Sequence, residues 1–99
     1  MKPYHNKDMD FLYRGILTLQ TREECYAFFE DICTIKELQA MAQRFRVASQ
    51  LKDSKNYNEI QLSTGASSAT ISRVNKCLLY GSGGYATALR RLVEETGNG

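Results

Sequence analysis

The chain has 99 residues, the length of one small domain, and its 42% hydrophobic and 24% charged residues exclude wholesale disorder. Lys and Arg total 13 against 11 Asp and Glu, a formal net charge of +2 with a single His. No run of about 18 apolar residues offers a membrane span, and the N-terminus leads into no apolar signal core, so a cytoplasmic location is expected.

Residues 1–7 are polar and read as a flexible leader. From Asp8, the set Met9, Leu12, Tyr13, Ile16, Leu17 and Leu19 follows helical spacing. Thr21 and Glu24 form the T-x-x-E signature of a capping box and open a helix carrying Cys25, Phe28, Phe29, Ile32 and Cys33. Thr34 and Glu37 repeat the device. Their helix sets Ile35, Leu38, Met41, Ala42, Phe45, Ala48 and Leu51 along one face. Asp53, Ser54, Lys55 and Asn56 break it. Asn56 with Glu59 caps a short helix holding Ile60 and Leu62, and residues 63–66 form a turn around Gly65. Ser67 or Ser68 caps a further helix to about residue 79, and the run 80–84, Tyr-Gly-Ser-Gly-Gly, stops it. A last helix covers about 85–95, with Ala88, Leu89, Leu92 and Val93 as its apolar side, and 96–99 remain as a tail. No stretch alternates with period two. The expected fold class is all-α, with six helices and one domain over 8–95.

Cysteine and histidine usage narrows the chemistry. Cys25, Cys33 and Cys77 are odd in number, and C-x7-C is not a zinc spacing. They read as reduced, mostly core thiols. The lone His5 lies in the leader, so a Cys–His or Ser–His catalytic pair has no well-placed base. No phosphate-cradling glycine motif is present. Neither a metal, a cofactor nor an enzymatic activity is expected.

Residues 56–79 have the outline of a helix-turn-helix. Gly65 suits a sharp turn, because positive φ is costly for other residues. Ile60 before the turn, and Ile71, Val74 and Leu78 after it, would lock the two helices together. The opposite face of the second helix carries Ser67, Ser68, Ala69, Ser72, Arg73 and Lys76. Small side chains allow close approach to base edges, hydroxyls donate to bases or phosphates, and a helix N-terminus favours an anion. The bland reading of the serines is simple helix capping, and two helices packed around a glycine turn also occur in protein-binding modules.

Charge distribution favours nucleic acid. Residues 44–91 hold eight cations against Asp53 and Glu59, a net of +6, while the rest of the chain carries −4. Such polarity is the electrostatic footprint of a phosphate-binding face; a solvated helix surface is the plainer alternative.

The run 64–73, Thr-Gly-Ala-Ser-Ser-Ala-Thr-Ile-Ser-Arg, resembles the L-G-A-G-I-A-T-I-T-R stretch of the tryptophan repressor family. Residues 37–46, with Arg44 and Arg46, resemble that family's third helix. The A-T-I-S-R-V-N run at 69–75 and the glycine-rich run at 77–85 are most similar to its YerC/YecD branch, and the likeness covers roughly 8–95. The resemblance implies an intertwined homodimer whose helix-turn-helix units enter successive major grooves about 34 Å apart. A second copy also suits a chain this short, which alone buries only roughly 60–65% of its unfolded surface.

The function implied is a transcriptional regulator, expected to act as a repressor on a palindromic double-stranded DNA operator. By position, Ser68, Ala69 and Ser72 match base-proximal residues of the family, and Thr70 a phosphate-contacting one. Asn58 and Gln61 stand where the repressor has Arg and Lys, so backbone affinity would be either weaker or supplied by Lys55, Arg73 and Lys76. The effector pocket implied by the resemblance comprises Thr34, Arg44, Arg73, Val74 and Cys77. The repressor clamps tryptophan between two arginines that match Arg44 and Arg73. Its next residue is a glycine that leaves room for the ligand, where this chain has Val74, and its polar anchor is a serine, where this chain has Cys77. L-tryptophan is therefore not expected to bind in the repressor's manner. Arg44 and Arg73 would instead contact phosphates or form intramolecular ion pairs. A different small effector, and a protein partner in place of DNA, are the alternatives kept.

Overall fold

The computed structural model describes residues 2–97, with side chains described through residue 95. Six helices follow one another: α1 Lys7–Ile16, α2 Arg22–Ile32, α3 Ile35–Lys52, α4 Tyr57–Thr64, α5 Ser68–Tyr80 and α6 Gly84–Gly97. No strand occurs among the described residues, and none of their helices is long and apolar enough to cross a membrane. The chain divides into two units, Met1–Leu38 and Gln39–Gly99.

In the first unit, local hydrogen bonds set the helix ends. Asn6 caps α1 by accepting from the Met9 N–H at 2.9 Å, so the helix begins at Lys7, inside the expected leader. It ends at Ile16, short of the expected Leu17 and Leu19, because the Thr18 N–H and hydroxyl both turn back to the Gly15 carbonyl. Thr21 caps α2, but Glu24 reaches past it to the Gln20 N–H at 2.7 Å, so the expected reciprocal box is not closed there. At α3 it is closed: Glu37 Oε1 accepts from the Thr34 N–H at 2.7 Å, and Thr34 Oγ1 from the Glu37 N–H at 3.1 Å. Phe28 and Phe29 meet edge to face, centroids 5.3 Å apart. No residue of α1 or α2 is fully buried.

The second unit holds the core. Val47 and Ala48 of α3, Ile60 of α4, Ala66 of the turn, Ile71 and Val74 of α5 and Leu89 of α6 form one buried cluster, flanked by Phe45, Leu51, Leu78 and Tyr85. Each fully buried Ile or Val contributes roughly 1.5–3 kcal/mol. α3 ends in a Schellman motif: the Lys55 N–H donates to the Gln50 carbonyl and the Ser54 N–H to that of Leu51, with Ser54 at φ 63°. α4 has a complete capping box, Asn56 with Glu59.

Several expectations need correction. The three cysteines are free but are not core thiols: Cys25 and Cys77 are exposed and Cys33 is half-buried. No residue of α2 is fully buried, and Cys77 lies on the outward side of α5, three residues past the buried Val74. On α6 only Leu89 of the expected apolar side is buried; Leu92 and Val93 are exposed. On α3, Val47 joins Ala48 in the core while Ile35 and Met41 are exposed. Of the expected tail 96–99, residues 96 and 97 continue α6, and 98–99 lie outside the described residues, as does residue 1.

Candidate nucleic-acid interface

α4, a three-residue turn and α5 build the helix-turn-helix. α4 runs through Ser63 and Thr64, so the turn is shorter than expected and comprises Gly65, Ala66 and Ser67. Gly65 sits at φ 72°, ψ 5°, and its N–H closes α4 on the Gln61 carbonyl at 2.9 Å. An added Cβ would meet open space, so the left-handed backbone, not crowding, favours glycine here. Ala66 buries its methyl in the core, and Ser67 caps α5 by accepting from the Thr70 N–H at 3.1 Å.

α5 has two faces. Ile71 and Val74 are at most 1% exposed and anchor it. Ser68, Ala69, Ser72, Arg73, Lys76 and Cys77 are exposed. The expected recognition residues are thus brought onto one free surface. Ser67 is occupied by the cap, and its hydroxyl also donates to Thr70 Oγ1 at 3.1 Å. Thr70 is half-buried. On α4, Asn58 is exposed and Gln61 half-buried.

No acidic side chain among the described residues pairs with this surface. Among the described residues the ion pairs are Lys55–Glu59 at 4.0 Å and Arg90–Glu94 at 3.5 Å. Arg44, Arg46, Arg73 and Lys76 pair with no carboxylate among the described residues, so the intramolecular ion pairs considered for Arg44 and Arg73 are not found there. Lys55, expected to help on phosphates, is engaged by Glu59.

The expected effector residues are less unified. Val74 is buried in the core, Arg44 is half-buried, and Arg73 and Cys77 are exposed. Cys77 lines a cleft of about 520 Å³ with Phe45, Tyr85 and the 81–84 loop, which Arg44, Arg73 and Val74 do not line. The Thr34 hydroxyl caps α3. Hydrogen bonding to Thr34 holds the fully exposed Glu37 carboxyl below the ordinary glutamate pKa, first through the Thr34 N–H and then through its hydroxyl.

Two residues escaped the sequence reading. Gln43 Nε2 donates to the Thr64 carbonyl at 3.1 Å, and Gln50 Oε1 accepts from the Ser63 hydroxyl at 2.7 Å. Both tie α3 to the last turn of α4. The available signal was their i, i+7 spacing around Val47.

Comparisons with known proteins bear on this geometry. The family model described as Trp repressor protein matches residues 7–93. The uncharacterized protein YerC of Bacillus subtilis (strain 168) is 51% identical over 88 residues, covering 89% of this chain and 85% of the relative. A TrpR-like protein from Eubacterium eligens superposes with a TM-score of 0.87 at 45% identity, over 90% of this chain and 92% of that one. A candidate Trp repressor from Staphylococcus aureus gives 0.88 at 41% identity, over 93% and 95%. With a family match across nearly its whole length and these similar structures, the chain belongs to the Trp repressor family.

Proposed function

We propose that the chain is a sequence-selective DNA-binding transcriptional regulator that works as a homodimer through α4 and α5. One observation carries the reading. α5 is anchored by the buried Ile71 and Val74, while its opposite side presents short hydroxyl and methyl groups followed by two cations that have no acidic partner among the described residues. The first turn of α5 enters the major groove, where Ser68, Ala69 and Ser72 approach base edges. The N–H groups of Ser68 and Ala69 at the open helix end, with Arg73 and Lys76, hold phosphates. Short side chains carry little direct base code, so DNA shape and bridging waters supply part of the selectivity.

Dimerisation is supported by apolar surface that one chain leaves uncovered. Phe11, Leu17, Tyr26, Ile32 and Ile35 are all more than half exposed. A two-fold partner presenting the same elements would cover them. Light scattering is expected to give twice the chain mass.

Tryptophan is not the effector. Val74 fills its position with a core side chain, Cys77 is a poor hydrogen-bonding anchor, and the Thr34 hydroxyl already caps α3. Titration calorimetry with L-tryptophan is expected to show no saturable heat; stoichiometric micromolar binding refutes this. The DNA reading is tested by binding of a selected duplex at several salt concentrations, with Arg73→Ala weakening it. A protein partner on the same surface is the second reading, favoured by Leu62, 88% exposed on α4. It predicts a complex that changes little with salt and no preferred DNA.

A further inference from the structure

Gln43 and Gln50 lie seven residues apart on α3, which places them on one face two turns apart. Val47 between them is fully buried. Gln43 Nε2 donates to the Thr64 carbonyl at 3.1 Å across 21 positions of sequence. That carbonyl is among the last of α4, which no N–H of the same helix can reach. Gln50 Oε1 accepts from the neighbouring Ser63 hydroxyl at 2.7 Å. Thr64 passes the constraint onward: its hydroxyl donates to the Ile60 carbonyl at 2.7 Å and accepts from the Ala66 N–H at 3.1 Å. Ala66 is buried, and the next residue, Ser67, caps α5.

The apolar core and these polar bonds do different work. Burial of Val47, Ile60 and Ile71 holds the helix-turn-helix on α3 but is non-directional. Hydrogen bonds weaken steeply when bent or stretched, so they fix rotation and tilt. We propose that Gln43 is a positioning residue which, together with Gln50, locks the α4–α5 turn to α3 and so sets the angle at which α5 meets DNA. This rests on the DNA-binding reading above. Gln43 acts through Thr64 and Ala66 rather than on a base. Ser68, Ala69 and Ser72 are short and cannot compensate for a tilted helix, whereas the long Arg73 and Lys76 can still find phosphates. The lock therefore governs selectivity more than total affinity.

The test uses the full-length protein with Gln43→Met, similar in size but without a donor, and Gln43→Glu, the same shape with acceptors only. The probes are the duplex that the wild type enriches from a random pool and a random-sequence duplex of equal length. Helix content and melting are followed by circular dichroism, and amide exchange is read at Gly65 and Ala66. Both variants are expected to fold and to bind the random duplex within about twofold of wild type with the same salt slope. Both are expected to lose about tenfold in preference for the enriched duplex, as for a lost hydrogen bond near the upper end of its ordinary worth. Exchange at Gly65 and Ala66 should be faster. A purely packing role predicts that Gln43→Met and Gln43→Glu both keep the preference, and that result overturns the proposal while leaving the DNA reading intact. If the Met variant does not fold, the Glu variant decides alone. If the wild type enriches no duplex, the DNA reading falls and the proposal with it.

Discussion

Substituting Gly81 with Ala tests how the candidate recognition helix is closed. The Gly81 N–H donates to the Cys77 carbonyl at 2.8 Å and ends α5. A Cβ at position 81 would lie 2.4 Å from that carbonyl oxygen and 3.1 Å from its carbon. Both are backbone atoms, so no side chain can swing aside. The last turn must open, which weakens a hydrogen bond worth about 1 kcal/mol. Residual overpacking adds about 1–3 kcal/mol, and the lower entropy of an unfolded Ala returns about 0.4–1 kcal/mol. The net cost is about 2 kcal/mol, a fall in Tm of about 8–16 °C for a domain of this size. Gly84→Ala is the control. Its Cβ would meet nothing within 4 Å, and it sits at the start of α6. There the same entropy gain stands alone and raises Tm by about 2–8 °C. Thermal melts followed by circular dichroism at one protein concentration decide the matter. If Gly81→Ala melts at or above wild type, the clash does not constrain this loop and the reasoning fails.

Three further outcomes are expected. Ile71→Ala, at a fully buried position, costs about 2–5 kcal/mol in denaturant unfolding, whereas Ser72→Ala on the exposed side stays within about 0.5 kcal/mol. The Glu37 carboxyl titrates below an ordinary glutamate by NMR, and Thr34→Val, which removes the hydroxyl but keeps the N–H, moves it only part of the way back. Because its folded pKa is lowered, the stability it contributes is complete above the ordinary glutamate value and lost as pH falls through the folded one. Lys76→Ala reduces the salt slope of DNA binding by about one unit, and Asn58→Arg, which restores a cation on α4, raises it by about one. A slope unchanged by either variant places those positions off the phosphate backbone.

The helical order was legible because capping signals are local. T-x-x-E at Thr34, N-x-x-E at Asn56 and the single Gly65 placed α3, α4 and the turn within a residue or two. The inward face of α5 was equally plain, since Ile71 and Val74 follow helical spacing. Where side chains capture backbone groups the reading failed: Thr18 ends α1 early, and Glu24 passes over Thr21 to Gln20. Burial was harder, because an apolar residue records a preference for cover and not its source. Leu17, Ile32, Ile35 and Leu92 carry helical periodicity, yet a single chain leaves each at least 46% exposed. The glutamine lock was missed for the converse reason. Gln43 and Gln50 look like surface residues until the Thr64 carbonyl and Ser63 hydroxyl are placed against them.

The most direct test of the central claim is selection of genomic DNA fragments by the purified wild-type protein, with the enriched fragment titrated from about 50 to 200 mM salt. A two-fold symmetric site bound by a dimer, with affinity falling steeply as salt rises, is the predicted result. Weak binding that ignores sequence, unchanged by Arg73→Ala and Lys76→Ala, would contradict it.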